Sequence, residues 1–192
     1  MDAPTLAEVG FARWPSDLAR SLLEDELPRR YAHSLGVLRQ ATSLRHVVRD
    51  EAPLLEAAAV LHDIGCATDL VETGFHPIDG ARYLRRIGAD ERLVSLVAHH
   101  SCADVEAEDR ELVAEMGEFD HGMPLLTDAM IYSDMTSGPD GERVTPAERL
   151  NEILVRHHGN RIIEGFVDRA GPHLLAAAGR VEVRLLARQA SE

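Results

Sequence analysis

The chain has 192 residues, 45% of them hydrophobic and 28% charged, with 20 basic against 33 acidic side chains and a formal net charge of −13. That length suits one domain with a core of its own, and the composition excludes a disordered chain. The acidic balance argues against the basic surface that phosphate-backbone binding requires, so no nucleic-acid partner is expected.

Two cysteines, Cys66 and Cys102, read as reduced thiols of a cytosolic protein, with a disulfide between them the lesser reading. The start MDAPTLAEVGFARW carries acids where a secretory leader needs Lys or Arg. No uncharged run approaches the ~18–20 residues that span a bilayer. A cytoplasmic protein with no membrane segment is expected.

Ala, Leu, Arg and Glu dominate, aromatic residues make up 4%, and intrinsic preference is therefore helical almost throughout. Ser16 reads as the N-cap of a first helix, SDLARSLLEDEL, ended by Pro28. A second covers RRYAHSLGVLRQATSLRHVV. Pro53 opens a third, LLEAAAVLHDIG, closed by Gly65. The segment HPIDGARYLRRIG follows, with Pro77 in its first turn and Gly88 as its stop, and then DERLVSLVAHHSC. From Asp104 to Asp120 the sequence is acidic and poorly periodic, which reads as surface. An apolar helix then runs through LLTDAMIYSDMTS. The turn SGPDGERV leads to Thr145-Pro-Ala-Glu148, a capping box. Two more helical patterns, from Asn160 and from Pro172, close the chain. The last is read as a core-covering or dimer-forming helix, so a homodimer is one expectation. No internal repeat or long linker divides the sequence.

Six of the ten histidines lie between His33 and His100. His33 falls in the second helix, His62-Asp63 at the end of the third, His76 at the start of the fourth, and His99-His100 near the end of the fifth. Asp134 sits inside the later apolar helix. Imidazole and carboxylate are ligands for borderline or hard divalent ions. The pair His62-Asp63 is informative because successive helical residues splay by about 100° and do not ordinarily face one target. If Asp63 bridges two ions and His62 binds one of them, both can reach the same centre. The run AAAVL before the pair drives it inward, and coordination relieves the cost of a buried carboxylate.

This order of residues resembles the HD-domain superfamily of metal-dependent phosphohydrolases, carried by His33 in RRYAHSLGV, His62 and Asp63 in AAAVLHDIG, His76 in FHPIDGA, His99-His100 in LVAHHS and Asp134 in IYSDMTSG. The likeness runs from about Arg29 to Leu150. It implies an all-α, single-domain helical bundle over residues 1–192, with the C-terminal helices of 151–192 packed on the motif core. It implies two divalent ions (Fe, Mn, Ni, Mg or Zn) held by His33, His62, Asp63, His76, one or both of His99 and His100, and Asp134, with His62 and Asp63 at the chemistry. Many members have a lysine after HDIG, where this chain has Cys66. Arg30 and Arg149 are then candidates for the substrate's phosphate, and Thr136 and Ser137 for donating to it or orienting a water. Thiolate ligation by Cys66 or Cys102 is the weaker reading.

The implied activity is hydrolysis of a small phosphorylated metabolite or nucleotide by metal-activated water. No nucleophile elbow, P-loop or dinucleotide fingerprint competes. Two other readings share the ligand set: a di-iron oxygenase of the same superfamily, and a non-catalytic metal- or nucleotide-binding regulatory domain. Outside the pattern, His46, His121, His157, His158 and His173 read as surface or capping residues. His157-His158 sits as a cation pair at a helix end, and His121 belongs to an acidic loop that is a lesser candidate for a lid. Tyr83 reads as core, Gly80 as a place where helices approach closely, and Asp79 and Asp128 as solvated or capping carboxylates.

Overall fold

The computed structural model describes residues 6–189, with side chains from Arg13 to Arg188. The acidic opening residues 1–5, on which part of the leader argument rests, and residues 190–192 lie outside the described residues. Among the described residues there is no strand, and no helix is long and apolar enough to cross a membrane.

The chain folds as α1 (Leu6–Leu23), α2 (Pro28–Ser43), α3 (Arg45–Val48), α4 (Ala52–Leu61), α5 (His76–Arg86), α6 (Glu91–Ala98), α7 (Ala103–Asp109), α8 (Val113–Met116), α9 (Pro124–Met135), α10 (Pro146–Arg156) and α11 (Arg161–Gln189). Proline stands in the first turn of α2, α4, α5, α9 and α10. Its missing N–H costs nothing there and its fixed φ starts the helix. The Thr145–Glu148 capping box is formed in both directions, and Gly88 stops α5 with φ 80°.

Helices α2, α4 and α9 pack on one another, with α6 beside α4, α5 against α6 and the Ile64–Cys66 turn, and α10 and α11 on the other side of α9. Leu55, Leu61, Ile64, Ile78 and Met130 lie in the larger apolar cluster. Ile131, Met135, Leu150, Phe166 and Leu174 form a second between α9, α10 and α11.

Several boundaries differ from the sequence reading. Ser16 is not an N-cap, because α1 begins ten residues earlier and carries Pro15 within it. The second helix breaks at Leu44. The patterns from Asn160 and Pro172 are one helix, α11, with Pro172 inside it. The acidic stretch after Asp104 is not all surface: α7 and α8 bury Ala107 and Met116, and Phe119 is buried beyond them. Asp79 and Asp128 are buried rather than solvated. Asp79 accepts from the Thr73 and Gly74 amides ahead of α5. Asp128 is gripped by both arms of Arg180 and so ties α9 to α11.

Candidate metal centre

The third helix ends earlier than its apolar pattern suggests. α4 stops at Leu61, His62 is its C-cap, and Asp63 has already left helical geometry with φ −100° and ψ 4°. The unwinding removes the 100° splay that a regular helix would impose, and both side chains converge on one buried centre. Behind them Gly65 meets α5 so closely that a Cβ there would overlap the His76 carbonyl oxygen, and Gly80 lies against Gly65 in turn. The close approach read for Gly80 brings His76, the first residue of α5, beside Asp63. Tyr83, on the same helix, is half-buried against the core.

Three histidines share one device. The His62 Nδ1–H donates to the Ala59 carbonyl at 2.8 Å and the His100 Nδ1–H to the Val97 carbonyl at 2.7 Å. Each uses a carbonyl three residues back that the end of its helix leaves free. The His33 Nδ1–H donates to the Gly138 carbonyl at 3.0 Å. A carbonyl only accepts, so the proton is fixed on Nδ1, and Nε2 of a neutral ring is left as a lone pair. Those nitrogens face acceptors: His33 Nε2 lies 3.1 Å from Asp134 Oδ1, and His62 Nε2 lies 3.3 Å from Asp63 Oδ2. His76 Nε2 lies 3.2 Å from Asp63 Oδ1 and 3.2 Å from His100 Nε2. Ligand atoms about 2.0–2.2 Å from an ion stand roughly 3–3.5 Å apart. The donor set, its spacing and its carbonyl-braced imidazoles therefore fit divalent ions. Two buried groups, His33–His62–Asp134 and His62–Asp63–His100, and a third of Asp63, Cys66 and His76, are compact enough to hold one.

Burial opposes the Asp63 charge, and Arg30, donating to its Oδ2 at 2.9 Å, together with His62, holds the carboxyl well below the ordinary range. Asp134 is likewise held low against burial by His33, His62 and Arg149. Burial, reinforced by His62 and His76, pulls His100 down to about 3. For His62, burial is outweighed by Asp63 and the ring is raised. Burial and the Asp63 charge push the Cys66 thiol up to about 12 against the pull of Arg30. Both cysteines are free.

The centre opens into a cavity of about 220 Å³. Arg30, Arg110, Arg149 and Arg156 line it. Burial lowers Arg156 and the charges of Arg149 and Arg30 reinforce this, with Glu152 opposing. Arg149 is buried and its Nε has no partner. Ser101 and Cys102 adopt left-handed backbone, φ 51° and 61°, and this tight reversal after His100 lets the Ser101 hydroxyl donate to Asp134.

His33, His62, Asp63, His76, His100, Asp134, Arg30 and Arg149 all line this cavity. His99 does not: its ring turns away to Phe119 and Asp104. Thr136 and Ser137 do not either, because their hydroxyls donate back to the Tyr132 and Ser133 carbonyls of α9. His157 caps α10 as read but also lines the cavity. Sequence reasoning missed Ser101, Arg110 and Arg156, and no spacing pattern marks them.

The HD domain family model matches residues 30–150, so the chain belongs to the HD domain family, typically metal-dependent phosphohydrolases. A stretch of 83 residues is 36% identical to Ribonuclease Y of Mesoplasma florum, covering 43% of this chain and 16% of that protein. Another of 77 residues is 35% identical to the tRNA (cytidine(56)-2'-O)-methyltransferase of Thermoplasma volcanium, covering 40% of this chain and 22% of that protein. The matched stretches thus span less than a quarter of either relative's length. No solved structure matches the chain at a significant level.

Proposed function

We propose that this chain is a metal-dependent phosphohydrolase that cleaves a phosphoester or phosphoanhydride of a small metabolite or nucleotide. The observation that carries the reading is the set of three imidazoles locked by backbone carbonyls with their Nε2 lone pairs turned on Asp63, Asp134 and His76. In this reading His33, His62 and Asp134 hold one ion, and His76 and His100 hold the other. Asp63, with one oxygen facing His62 and the other facing His76, would serve both. When bound, two divalent ions supply a water of lowered pKa and charge stabilisation for the phosphoryl group. Imidazole with carboxylate favours Mn, Fe, Ni or Zn over Mg.

The chain's own residues then orient and bind. Ser101 fixes the Asp134 carboxylate by donating to it. The four arginines around the cavity suit the oxygens of a phosphoryl group through charge-assisted, two-pronged hydrogen bonds. Ribonuclease Y is named for RNA, but a net charge of −13 opposes a long polyanion, and the arginines are confined to a small cavity. A small phosphorylated substrate is the better match.

The test is phosphate release from phosphomonoesters, nucleotides and a short RNA, by protein stripped with a chelator and reloaded with each ion. Turnover of small compounds is expected, falling at least about 10³-fold in Asp63→Ala with loss of bound ion. No hydrolysis with any ion, or equal rates in the variant, sinks the reading. Iron-dependent oxygen consumption would transfer it to the oxygenase class.

A further inference from the structure

His99 stands next to His100 but serves a different set of atoms. Its Nε2–H donates to the Phe119 carbonyl at 3.1 Å, which fixes the proton there and leaves Nδ1 of a neutral ring as a lone pair. That lone pair faces the Asp104 carboxylate, 3.0 Å from one oxygen and 3.2 Å from the other. Two acceptors at this distance require a cation or a proton between them. His121 Nε2 approaches the same Asp104 Oδ1 at 3.3 Å, and its ring is stacked on His99 with centroids 3.6 Å apart. All three ligand atoms lie within 4.8 Å of one another. Separations of 3.0 and 3.3 Å match the roughly 3–3.5 Å between ligands of an ion bound at about 2.0–2.2 Å. A carbonyl behind the imidazole is the usual support of a metal-bound histidine.

We propose that His99, Asp104 and His121 form a second, peripheral site for a borderline divalent transition ion such as Zn²⁺, separate from the central His/Asp cluster. Two imidazole nitrogens and one carboxylate select Zn, Co, Ni or Cu over Mg and Ca. The side chains of Asp104 and His121 are 40% and 67% exposed, so water completes the coordination and the ion enters without opening the core. Bound there, it clips the segment around Phe119 and His121 onto the start of α7 and onto the end of α6. It thereby braces the turn that presents His100 to the central cluster.

The probe is Zn²⁺ itself, titrated into chelator-treated full-length protein and into Asp104→Asn and His121→Ala, with ion content and melting temperature as readouts. Both substitutions are at accessible side chains, and the melting temperature without metal reports that each variant is folded. Wild type is expected to bind one Zn²⁺ more than either variant, or to bind it at least tenfold more tightly, and to show the larger rise in melting temperature. Because the readout is a difference between wild type and variant, it holds whether the central cluster takes two ions, one or none. Equal stoichiometry, affinity and melting shift in all three proteins would overturn the proposal and leave His99 and Asp104 as a metal-free hydrogen-bonded pair.

Discussion

At the scale of single residues, two neighbouring pairs divide their labour. His99 and His100 are adjacent in sequence, yet one faces Asp104 and Phe119 and the other faces His62 and His76. Asp134 and Thr136 are two apart, yet only the carboxylate reaches the cavity. Nothing in the residue order separates them, because a side chain's target depends on where the helix ends and on which carbonyls remain free. The arginines that line the cavity make this testable. Arg156→Ala is expected to raise KM for a phosphorylated substrate by about ten- to a hundredfold, the value of one hydrogen bond to a charged group. Thr136→Ala leaves KM unchanged, since its hydroxyl serves the Tyr132 carbonyl. Steady-state kinetics of both variants would refute the assignment if the two effects were reversed.

At the scale of elements, the site depends on how α4 ends and how α5 begins. The turn of Ile64–Cys66 rests on α5 through Gly65 and Gly80, with backbone nearly touching backbone. Gly65→Ala must therefore push His76 away from Asp63. Such overpacking costs typically about 1–3 kcal/mol, and the variant is expected to melt several degrees lower and to bind fewer ions at the central cluster. A Gly65→Ala protein with unchanged melting temperature and ion content would contradict the close approach. The sequence marked both glycines, and only the packing says that they touch each other.

At the scale of the whole molecule, the buried charges set the response to pH. Asp63 and Asp134 titrate below their unfolded value of about 3.9, so the stability they contribute is present above about pH 4 and is lost as pH falls further. His100, lowered to about 3, adds stability above about pH 6.5 that declines on acidification. The raised value of His62 acts in the opposite sense, adding stability at low pH that is lost as pH rises through its folded value. The His62 contribution is complete below about pH 6.5, so between pH 6.5 and 4 the decline comes from His100, and the two carboxylates add to it below. Thermal melts of metal-free protein from pH 7 to 3 are expected to decline from about pH 6.5 and to steepen below pH 4, with less steepening for Asp63→Asn. Absence of any steepening below pH 4, in wild type relative to Asp63→Asn, would show that the Asp63 carboxylate is not held low.

By itself the sequence determined the helical class, the helix starts at Pro53, Pro77 and Pro146, the capping box at Thr145 and the ordered set of histidines and aspartates that marks the HD family, because periodicity, caps and residue chemistry are local properties. Pro28 reads as a helix end, whereas the structure makes it the start of α2. Tertiary structure decided which of those residues share a centre, that Arg110, Arg156 and Ser101 join them, and that His99, Thr136 and Ser137 face elsewhere. The reason is geometric. A ligand set is closed by helix ends and loop reversals brought together over long separations in the chain, and the position of a helix end follows from packing, as at Leu61, rather than from the apolar pattern that runs past it.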